Sequence, residues 1–198
     1  MGKFRLQTIF KICSLLLLTY NSYVYGKTET PKATESVEKW FKKLKKSTEP
    51  KFKIIEFYVQ DIVSGEGQTV FPVAKSNISF TSPTNFGIVV VADDRFTVGA
   101  DPKSPTLGRG QGIAALSDLA DRVLYLNVVF YFTEGKYKGS SVVILGRDPM
   151  LVNSRELSIA GGSGVFRSAR GVTEITNCTP YSPTGYTCFK YTLYFTHF

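Results

Sequence analysis

Ionisable residues inside apolar, strand-like segments are the first candidates for chemistry in this chain of 198 residues. Asp61 closes the apolar segment 52–62. Alternation along that segment places four side chains on one face, namely Ile55, Phe57, Val59 and Asp61. If this face lines the interior of a barrel, burial raises the pKa of the Asp61 carboxyl unless a cation lies beside it. Asp61 is therefore a candidate general acid.

A second carboxyl group and an arginine flank a short return further along the chain. Asp148 precedes the return and Arg155 follows it, so the two side chains could meet across the turn. Two carboxyls and one arginine in a mostly apolar barrel would suit an uncharged aromatic ligand. The alternative is that Asp61, Asp148 and Arg155 form ordinary surface ion pairs at strand ends, which are common.

Other reaction centres find little support in the residues. His197 is the sole histidine, which argues against a Ser-His-Asp triad, a Cys-His dyad and a multi-histidine zinc site. The glycine-rich stretches 108–112 and 161–164 lack a following Gly-Lys-Ser/Thr and are interpreted as strand bends and tight turns. Asp93-Asp94 is interpreted as a turn that caps a strand. No metal site and no cofactor are predicted.

Short β-type segments must position these residues. Period-two patterns separated by Gly, Pro, Ser and Asp turns predict about eight strands and hardly any helix, and hence an antiparallel barrel or sandwich. The predicted strand segments are 52–62, 68–74, 86–93, 95–99, 106–116, 122–132, 139–147, 155–161, 165–176 and 188–196. Several segments are apolar on both faces, which predicts that barrels associate as an oligomer.

The N-terminal region differs from this body. Residues 1–26 combine three basic residues, no acid and a short apolar run, which indicates a secretory signal peptide. The alternative is a retained membrane anchor, although no segment reaches the length of a membrane span. Residues 27–51 are predicted to form a polar linker and a short helix over 36–46, with an apolar stripe at Val37, Trp40, Phe41 and Leu44. That helix either lies on an anionic surface or docks on the body.

The charge of the chain also belongs to its N-terminal part. The formal net charge is +8, of which residues 1–26 carry three units and residues 27–53 carry five. Residues 54–198 hold 12 basic and 12 acidic side chains and are neutral. A nucleic-acid-binding domain carries its positive charge on the folded body, so no nucleic-acid partner is predicted.

Cysteines and sequons fit an oxidising compartment. Cys13 lies within the predicted signal peptide, whereas Cys178 and Cys188 flank a Pro/Gly/Ser-rich loop between the last two strands. A disulfide across that loop is predicted, the alternative being two free thiols. Asn77 and Asn177 begin Asn-X-Ser/Thr sequons and are predicted glycosylation sites.

From residue 52 to the C-terminus the sequence resembles the plant dirigent protein family. The resemblance rests on five motifs in family order and spacing: FYVQDI (57–62), NFGIVVVADDRFT (85–97), LGRGQG (107–112), FTEGKYKGSSVVILGRDP (132–149) and RELSIAGGSGVFRSARG (155–171). The preceding WFKKL (40–44) is similar to the leader of a larger subgroup that includes pterocarpan synthase-like members.

The resemblance implies an all-β domain over 52–198, an eight-stranded antiparallel β-barrel like that of allene oxide cyclase. It implies a dimer or trimer secreted to the apoplast. It further implies that an external laccase or peroxidase oxidises a phenylpropenol such as coniferyl alcohol. The barrel then binds the phenoxy radicals and directs the stereochemistry of their coupling to lignans, without oxidising them. The alternative is a dehydratase or cyclase of the pterocarpan synthase type that acts through a quinone methide.

Family pocket positions fall on residues already singled out. By motif, the pocket acids match Asp61 and Asp148 and the pocket arginine matches Arg155, with roles in hydrogen bonding to or protonating a quinone methide. Substrate contacts are predicted at Phe57, Val59, Gln60 and Ile113. Two of these depart from the family pattern: Gln60 replaces a common histidine, and Ile113 stands where an aromatic residue is usual. The second change removes one wall of the expected pocket.

Overall fold

A computed structural model describes residues 37–44, 46, 49–178 and 185–197. The predicted signal peptide and most of the predicted linker lie outside the described residues. One short helix, α1 (Val37–Leu44), precedes the sheet. The nine strands are β1 (Lys51–Ile62), β2 (Val70–Ala74), β3 (Val89–Thr97), β4 (Thr106–Leu116), β5 (Val123–Phe132), β6 (Ser141–Pro149), β7 (Ser154–Ser163), β8 (Arg170–Asn177) and β9 (Tyr186–His197).

Eight of these strands close into an antiparallel barrel. From β3 to β9 each strand pairs with the next, and β9 pairs with β1 along its whole length. The barrel closes where residues 58–60 of β1 pair with residues 95–97 of β3. β2 pairs with the remaining part of β3, over residues 89–92, so β1 and β2 together cover one edge of that strand. The predicted eight-stranded antiparallel barrel with a short N-terminal helix is confirmed.

The Asp93-Asp94 pair does not form the predicted turn. The predicted segments 86–93 and 95–99 both overlap one continuous strand, β3, whose register with β4 runs through Asp93 opposite Gln111 and Asp94 opposite Gly110. Ladder hydrogen bonds to β4 satisfy the backbone here, so the chain stays extended despite two adjacent acids. A second departure is the start of 165–176, where a 3₁₀ turn at Gly164–Phe166 precedes β8.

Aromatic rings fill the middle of the barrel. Phe57 contacts Phe96 and Phe130 at ring-centroid distances of 4.8 and 4.7 Å, and the Tyr191 ring stacks on it at 5.6 Å. The Phe130 ring needs space beside the neighbouring strand β4, and the glycines of β4 provide it. A Cβ atom at Gly110 would lie 2.7 Å from the Phe130 ring. The LGRGQG motif therefore places small residues opposite large ones, as close packing requires.

Helix α1 has an aromatic contact with the described body. The Arg167 guanidinium lies 5.9 Å above the Trp40 ring, a cation–π arrangement. Phe41, also in the predicted apolar stripe, is 49% exposed. Among the described residues, no helix is long and apolar enough to cross a membrane.

The predicted disulfide is present between Cys178 and Cys188. It joins the end of β8 to the start of β9, where the Cys178 N–H also donates to the Cys188 carbonyl. The loop residues 179–184 lie outside the described part of the chain. The crosslink fixes the ends of two strands whose neighbouring residues hold part of the site described next.

Candidate functional site

Barrel closure gathers ionisable groups at one end. Asp61 lies near the end of β1 and Asp148 near the end of β6, while Arg155 lies near the start of β7. In an antiparallel barrel these positions share one rim. Asp94 on β3 and Tyr191 on β9 point inward at the same end, because alternation from Phe96 and Leu193 of the core gives them the inner face.

Asp61 and Asp94 form a pair of carboxyls at this rim, with Asp94 buried and Asp61 partly buried. Burial, and secondarily the charge of Asp94, raises the pKa of Asp61 to about 8. Burial also raises the pKa of Asp94, to about 6, against a lowering hydrogen bond of 2.5 Å from the Thr69 hydroxyl. The Oδ1 atom of Asp61 is buried without a hydrogen-bond partner. Near neutral pH the two carboxyls therefore tend to share a proton, which can be donated to a ligand.

Asp148 and Arg155 form the predicted pair, and it is buried. Arg155 Nε lies 2.7 Å from Asp148 Oδ1, with side-chain exposures of 2% and 10%. The contact is an ion pair without hydrogen-bond alignment, since neither atom makes a directed hydrogen bond. Burial raises the pKa of Asp148, and the guanidinium charge of Arg155 offsets part of that rise. The alternative of an exposed surface pair does not hold.

Three neighbours fix the orientation of Arg155. Its Nη1 donates to the Val152 carbonyl at 3.0 Å and to Asn177 Oδ1 at 2.9 Å. Its guanidinium lies 5.4 Å from the centroid of the Phe189 ring. Asn177 and Phe189 each sit next to a cysteine of the disulfide, so the crosslink holds the strand ends that orient Arg155.

Tyr191 lies near the three acids and Arg155. Burial raises the pKa of its hydroxyl, and the carboxylates of Asp148, Asp94 and Asp61 raise it further, while Arg155 lowers it. The hydroxyl is therefore a neutral hydrogen-bonding group at any physiological pH. Its ring continues into the aromatic core through Phe57.

The interior of this end is apolar and open to water. Leu126 and Phe189 face inward and pack on the core but are only partly buried. Ala114, the β4 residue opposite Leu126 in the register, is small. Acids, a phenol hydroxyl and an open apolar wall suit an uncharged aromatic ligand that accepts or donates a hydrogen bond.

The remaining predicted contact residues divide between the two faces. Phe57 and Val59 are buried in the core and form the floor below the acids. Gln60 points to the other side of β1, where its Nε2 donates to the Thr97 hydroxyl at 2.8 Å and its Oε1 accepts from Tyr186. Ile113 is 46% exposed on the outer surface of β4. The structure thus does not bring Gln60 or Ile113 together with the inner acids.

The two sequons have different surroundings. Asn77 is exposed in a turn, and the Ser79 hydroxyl of its sequon is buried and donates to the Phe86 carbonyl. Asn177 is partly buried, and its side-chain oxygen accepts the hydrogen bond from Arg155. Glycosylation at both positions stays a prediction, and a glycan at Asn177 would stand beside the acid site.

Sequence reasoning missed two members of the site, Asp94 and Tyr191. The interpretation of Asp93-Asp94 as a turn excluded Asp94 from the site. On a continuous strand, however, Asp94 lies two residues before Phe96 and therefore faces the same, inner side. Tyr191 lies in the aromatic last strand, where the alternation of Phe189, Tyr191 and Leu193 gives the same signal. Inner-face alternation finds both residues once the strand bounds are known.

Fold and site together define a closed β-barrel with a polar, acid-bearing binding end in an otherwise aromatic interior. Residues 52–196 match the family model described as "Dirigent-like protein". The chain belongs to the dirigent-like protein family.

Relatives and solved structures agree with this assignment. The chain is 39% identical over 121 residues to Dirigent protein 1 of Arabidopsis thaliana, covering 61% of this chain and 66% of that protein. It is 35% identical over 127 residues to Pterocarpan synthase 1 of Glycyrrhiza echinata, covering 64% and 68%. A solved pterocarpan synthase dirigent protein matches with a TM-score of 0.69 and 32% identity, covering 77% of this chain and 88% of that one. The chain thus spans about two thirds of these curated relatives.

Proposed function

We propose that this protein directs the stereochemistry of phenoxy radical coupling between phenylpropanoids and does not oxidise them itself. The observation that carries the proposal is the pair of carboxyls Asp61 and Asp94 at one rim of an aromatic-filled barrel, where burial raises the pKa of both and Asp61 Oδ1 has no hydrogen-bond partner. Family membership supports the same reading. An external laccase or peroxidase would supply the one-electron oxidation that produces the radicals.

Each group of site residues has a separate role in this proposal. The aromatic floor and the half-buried apolar wall hold the phenol rings and expose one face of each radical to the other. Coupling through the side-chain carbons yields a quinone methide. Asp61 donates a proton or hydrogen bond to its oxygen, while a neighbouring carboxylate takes the proton that the attacking hydroxyl loses as the ring closes. The Tyr191 hydroxyl and Arg155 orient the oxygen atoms.

A chiral product assay tests this proposal. Coniferyl alcohol is treated with a one-electron oxidant, with and without the purified protein, and the lignans are separated by chiral chromatography. We expect one enantiomer in excess with the protein and a racemate without it. Racemic products in both samples across several phenols would refute radical direction.

A matched pair of variants assigns the effect to the inner acids. Asp94→Asn removes an inward carboxyl, whereas Asp93→Asn removes its neighbour on the outer face, which pairs with Arg109 at 2.8 Å. We expect enantiomeric excess to fall sharply in Asp94→Asn and in Asp61→Asn but to persist in Asp93→Asn. Equal loss in all three variants would contradict the assigned site.

The second candidate is a dehydratase or cyclase of the pterocarpan synthase type. The likeness to a solved pterocarpan synthase dirigent protein favours it, as does the presence at one rim of a carboxyl with a raised pKa, Asp61, and a carboxyl paired with an arginine, Asp148. Here a carboxyl would protonate the leaving hydroxyl and water would depart, while a carboxylate takes the proton of the phenol, and the quinone methide so formed would cyclise. Turnover of an isoflavanol without any oxidant, abolished by Asp148→Asn, is the expected result. Full activity in that variant would exclude Asp148 from this role.

Secretion to the apoplast and assembly into a dimer or trimer belong to the same proposal. The chain's leader-like N-terminus and its disulfide support an oxidising, extracytoplasmic compartment. Exposed apolar side chains on adjacent strands support self-association. The neutral body supports a small uncharged ligand over a polyanion.

A further inference from the structure

A second concavity lies on the outside of the barrel, at the seam where β1 leaves β3. Its volume is about 340 Å³, within the range of small-molecule sites. The residues that line it are Gln60, Ile62, Gly67, Thr69, Arg95, Pro102, Arg109 and Tyr186. The strand residues among them alternate with the inward-facing Asp61 and Asp94. The crevice therefore opens on the outer face of the sheet, and Thr69 in its lining also donates to Asp94 at 2.5 Å.

Two arginines lie side by side in this crevice. Arg95 and Arg109 are direct partners in the register of β3 and β4. Like charges in directly opposed positions destabilise a sheet unless an anion lies between them. The lining contains no carboxylate, and the adjacent Asp93 is already bound by Nε of Arg109 at 2.8 Å.

The donors of the two guanidinium groups are only partly used. Arg109 donates from Nε and Nη2 to Asp93, which leaves its Nη1 for another acceptor. Arg95 donates to the Pro102 carbonyl and, at 3.4 Å, to the Thr106 hydroxyl. Among the described residues, no carboxylate lies within ion-pair distance of Arg95. The pair thus offers charge-assisted donors for one further oxyanion.

Apolar groups make up most of the rest of the crevice surface. Ile62 and Pro102 present aliphatic surface, and the Tyr186 ring is held by its hydroxyl, which donates to Gln60 Oε1 at 2.5 Å. A rigid ring beside aliphatic walls suits stacking with an aromatic body. A ligand that satisfies both halves has an aromatic ring and a carboxylate.

We infer that this outer crevice binds an aromatic carboxylate of the hydroxycinnamate class, with its carboxylate on Arg95 and Arg109 and its ring against Tyr186. The site does not include the inner acids, although Thr69 joins its lining to Asp94, and it does not rest on the function proposed for them. It would hold an anionic phenylpropanoid on the same barrel that takes uncharged ones inside.

Titration calorimetry on the full-length protein tests the site. The probes are 4-hydroxycinnamate, its methyl ester and inorganic phosphate, all at pH 7, where the cinnamate is ionised. We expect saturable one-to-one binding of the acid, and binding at least about tenfold weaker for the ester, which loses the charge-assisted hydrogen bonds. Equal affinity for acid and ester, or for phosphate and the acid, would overturn the proposal.

Variants locate the binding. Arg95→Gln is expected to weaken 4-hydroxycinnamate binding at least about tenfold, and Arg109→Gln provides a second test should the first variant fold poorly. Arg170→Gln is the control, because Arg170 is exposed at the start of β8, far along the sheet. Equal weakening by Arg170→Gln would indicate general charge attraction and refute the site. On the unsubstituted chain, the backbone amide NMR signals of Gly67 and Thr69 should shift when 4-hydroxycinnamate is added. Shifts confined to residues that face the barrel interior would also refute the site.

Discussion

Burial determines what each ionisable side chain of this barrel can do. Asp61 and Asp94 share an apolar interior in which two negative charges are unfavourable, so a proton stays on the pair near neutral pH. Asp148 has the Arg155 guanidinium beside it and forms an ion pair. Asp93, one residue from Asp94, faces outward and binds Arg109 as an ordinary surface partner. Equivalent carboxyls thus become acid, ion-pair partner or surface charge according to their face and strand.

The pKa of Asp61 predicts a pH dependence of stability. An unfolded-state aspartate has a pKa near about 3.9, whereas the folded value is about 8. Between these values the folded chain holds a proton that the unfolded chain loses, so stability falls as pH rises from 5 to about 8. For a chain of this size, each loss of about 1 kcal/mol lowers the melting temperature by roughly 2–4 °C.

Thermal unfolding of two variants over that pH range checks this prediction. Asp61→Asn cannot titrate, so its melting temperature should vary less between pH 5 and 8 than that of the unsubstituted protein. Asp93→Asn is the control and should keep the original slope. A melting temperature that rises over this range in the unsubstituted protein would contradict the raised pKa.

Removal of Arg155 tests the buried ion pair. Arg155→Gln leaves the Asp148 carboxylate buried without its cation, which typically costs about 3–5 kcal/mol. Arg147→Gln breaks the exposed pair with Asp118, at 3.1 Å, and should cost about 1 kcal/mol or less. Urea unfolding at pH 7 measures both. Similar losses in the two variants would mean that the Asp148–Arg155 pair behaves as a surface pair.

The alternation and register of the strands place these residues at one rim of the barrel. Period-two alternation aims Asp61, Asp94 and Tyr191 inward, and the pairing register sets their height along the barrel axis. The glycines of β4 let the core rings approach its backbone. The disulfide between β8 and β9 fixes the strand ends that contact Arg155. Each strand therefore supplies a site residue whose position depends on pairing with the neighbouring strands.

Substitution of one β4 glycine should disturb this packing. Gly110→Ala places a Cβ atom 2.7 Å from the Phe130 ring, and Phe130 is itself fully buried. Overpacking of this kind costs typically about 1–3 kcal/mol. Gln111→Ala, the exposed neighbour on the same strand, should change stability little. Chemical unfolding compares the two, and a neutral Gly110→Ala would show that the ring moves freely.

At the scale of the whole molecule, the barrel has a second apolar surface outside. Cross-strand register aligns exposed apolar side chains in one row across β2, β3 and β4, made of Phe71, Val91 and Ile113. Ile113, predicted as a substrate contact, therefore belongs to this outer apolar row. A row of this kind on three adjacent strands is a surface that association would cover.

A charge placed in this row should reduce self-association. We expect the unsubstituted protein to sediment as a dimer or trimer and Ile113→Lys to shift it toward the monomer, since a buried lysine lacks a partner. Leu119→Lys is the control, because Leu119 is exposed in the turn before β5 and lies outside the row. Sedimentation velocity separates the species. A monomeric unsubstituted protein at micromolar concentration would contradict this expectation.

Local patterns in the sequence predicted most of the strands, an antiparallel barrel or sandwich, the disulfide and the meeting of Asp148 with Arg155. Alternation and turn residues act over a few positions, so they are visible in one dimension. The motifs also predicted the family, which the family model over 52–196 confirms. The interpretation of Asp93-Asp94 failed because turn propensity was weighed without the ladder partners that keep β3 extended.

Only the tertiary structure decided which groups share the site. The coupling of Asp61 to Asp94 depends on closure of β1 onto β3, and Tyr191 joins them through the pairing of β9 with β1. Closure also separates the inner acids from the outer arginines of the same strands. Such contacts join residues distant in sequence, and their energy comes from burial, which a linear pattern does not contain. The sequence alone determined the inventory of acids; the closed barrel determined which of them hold a proton.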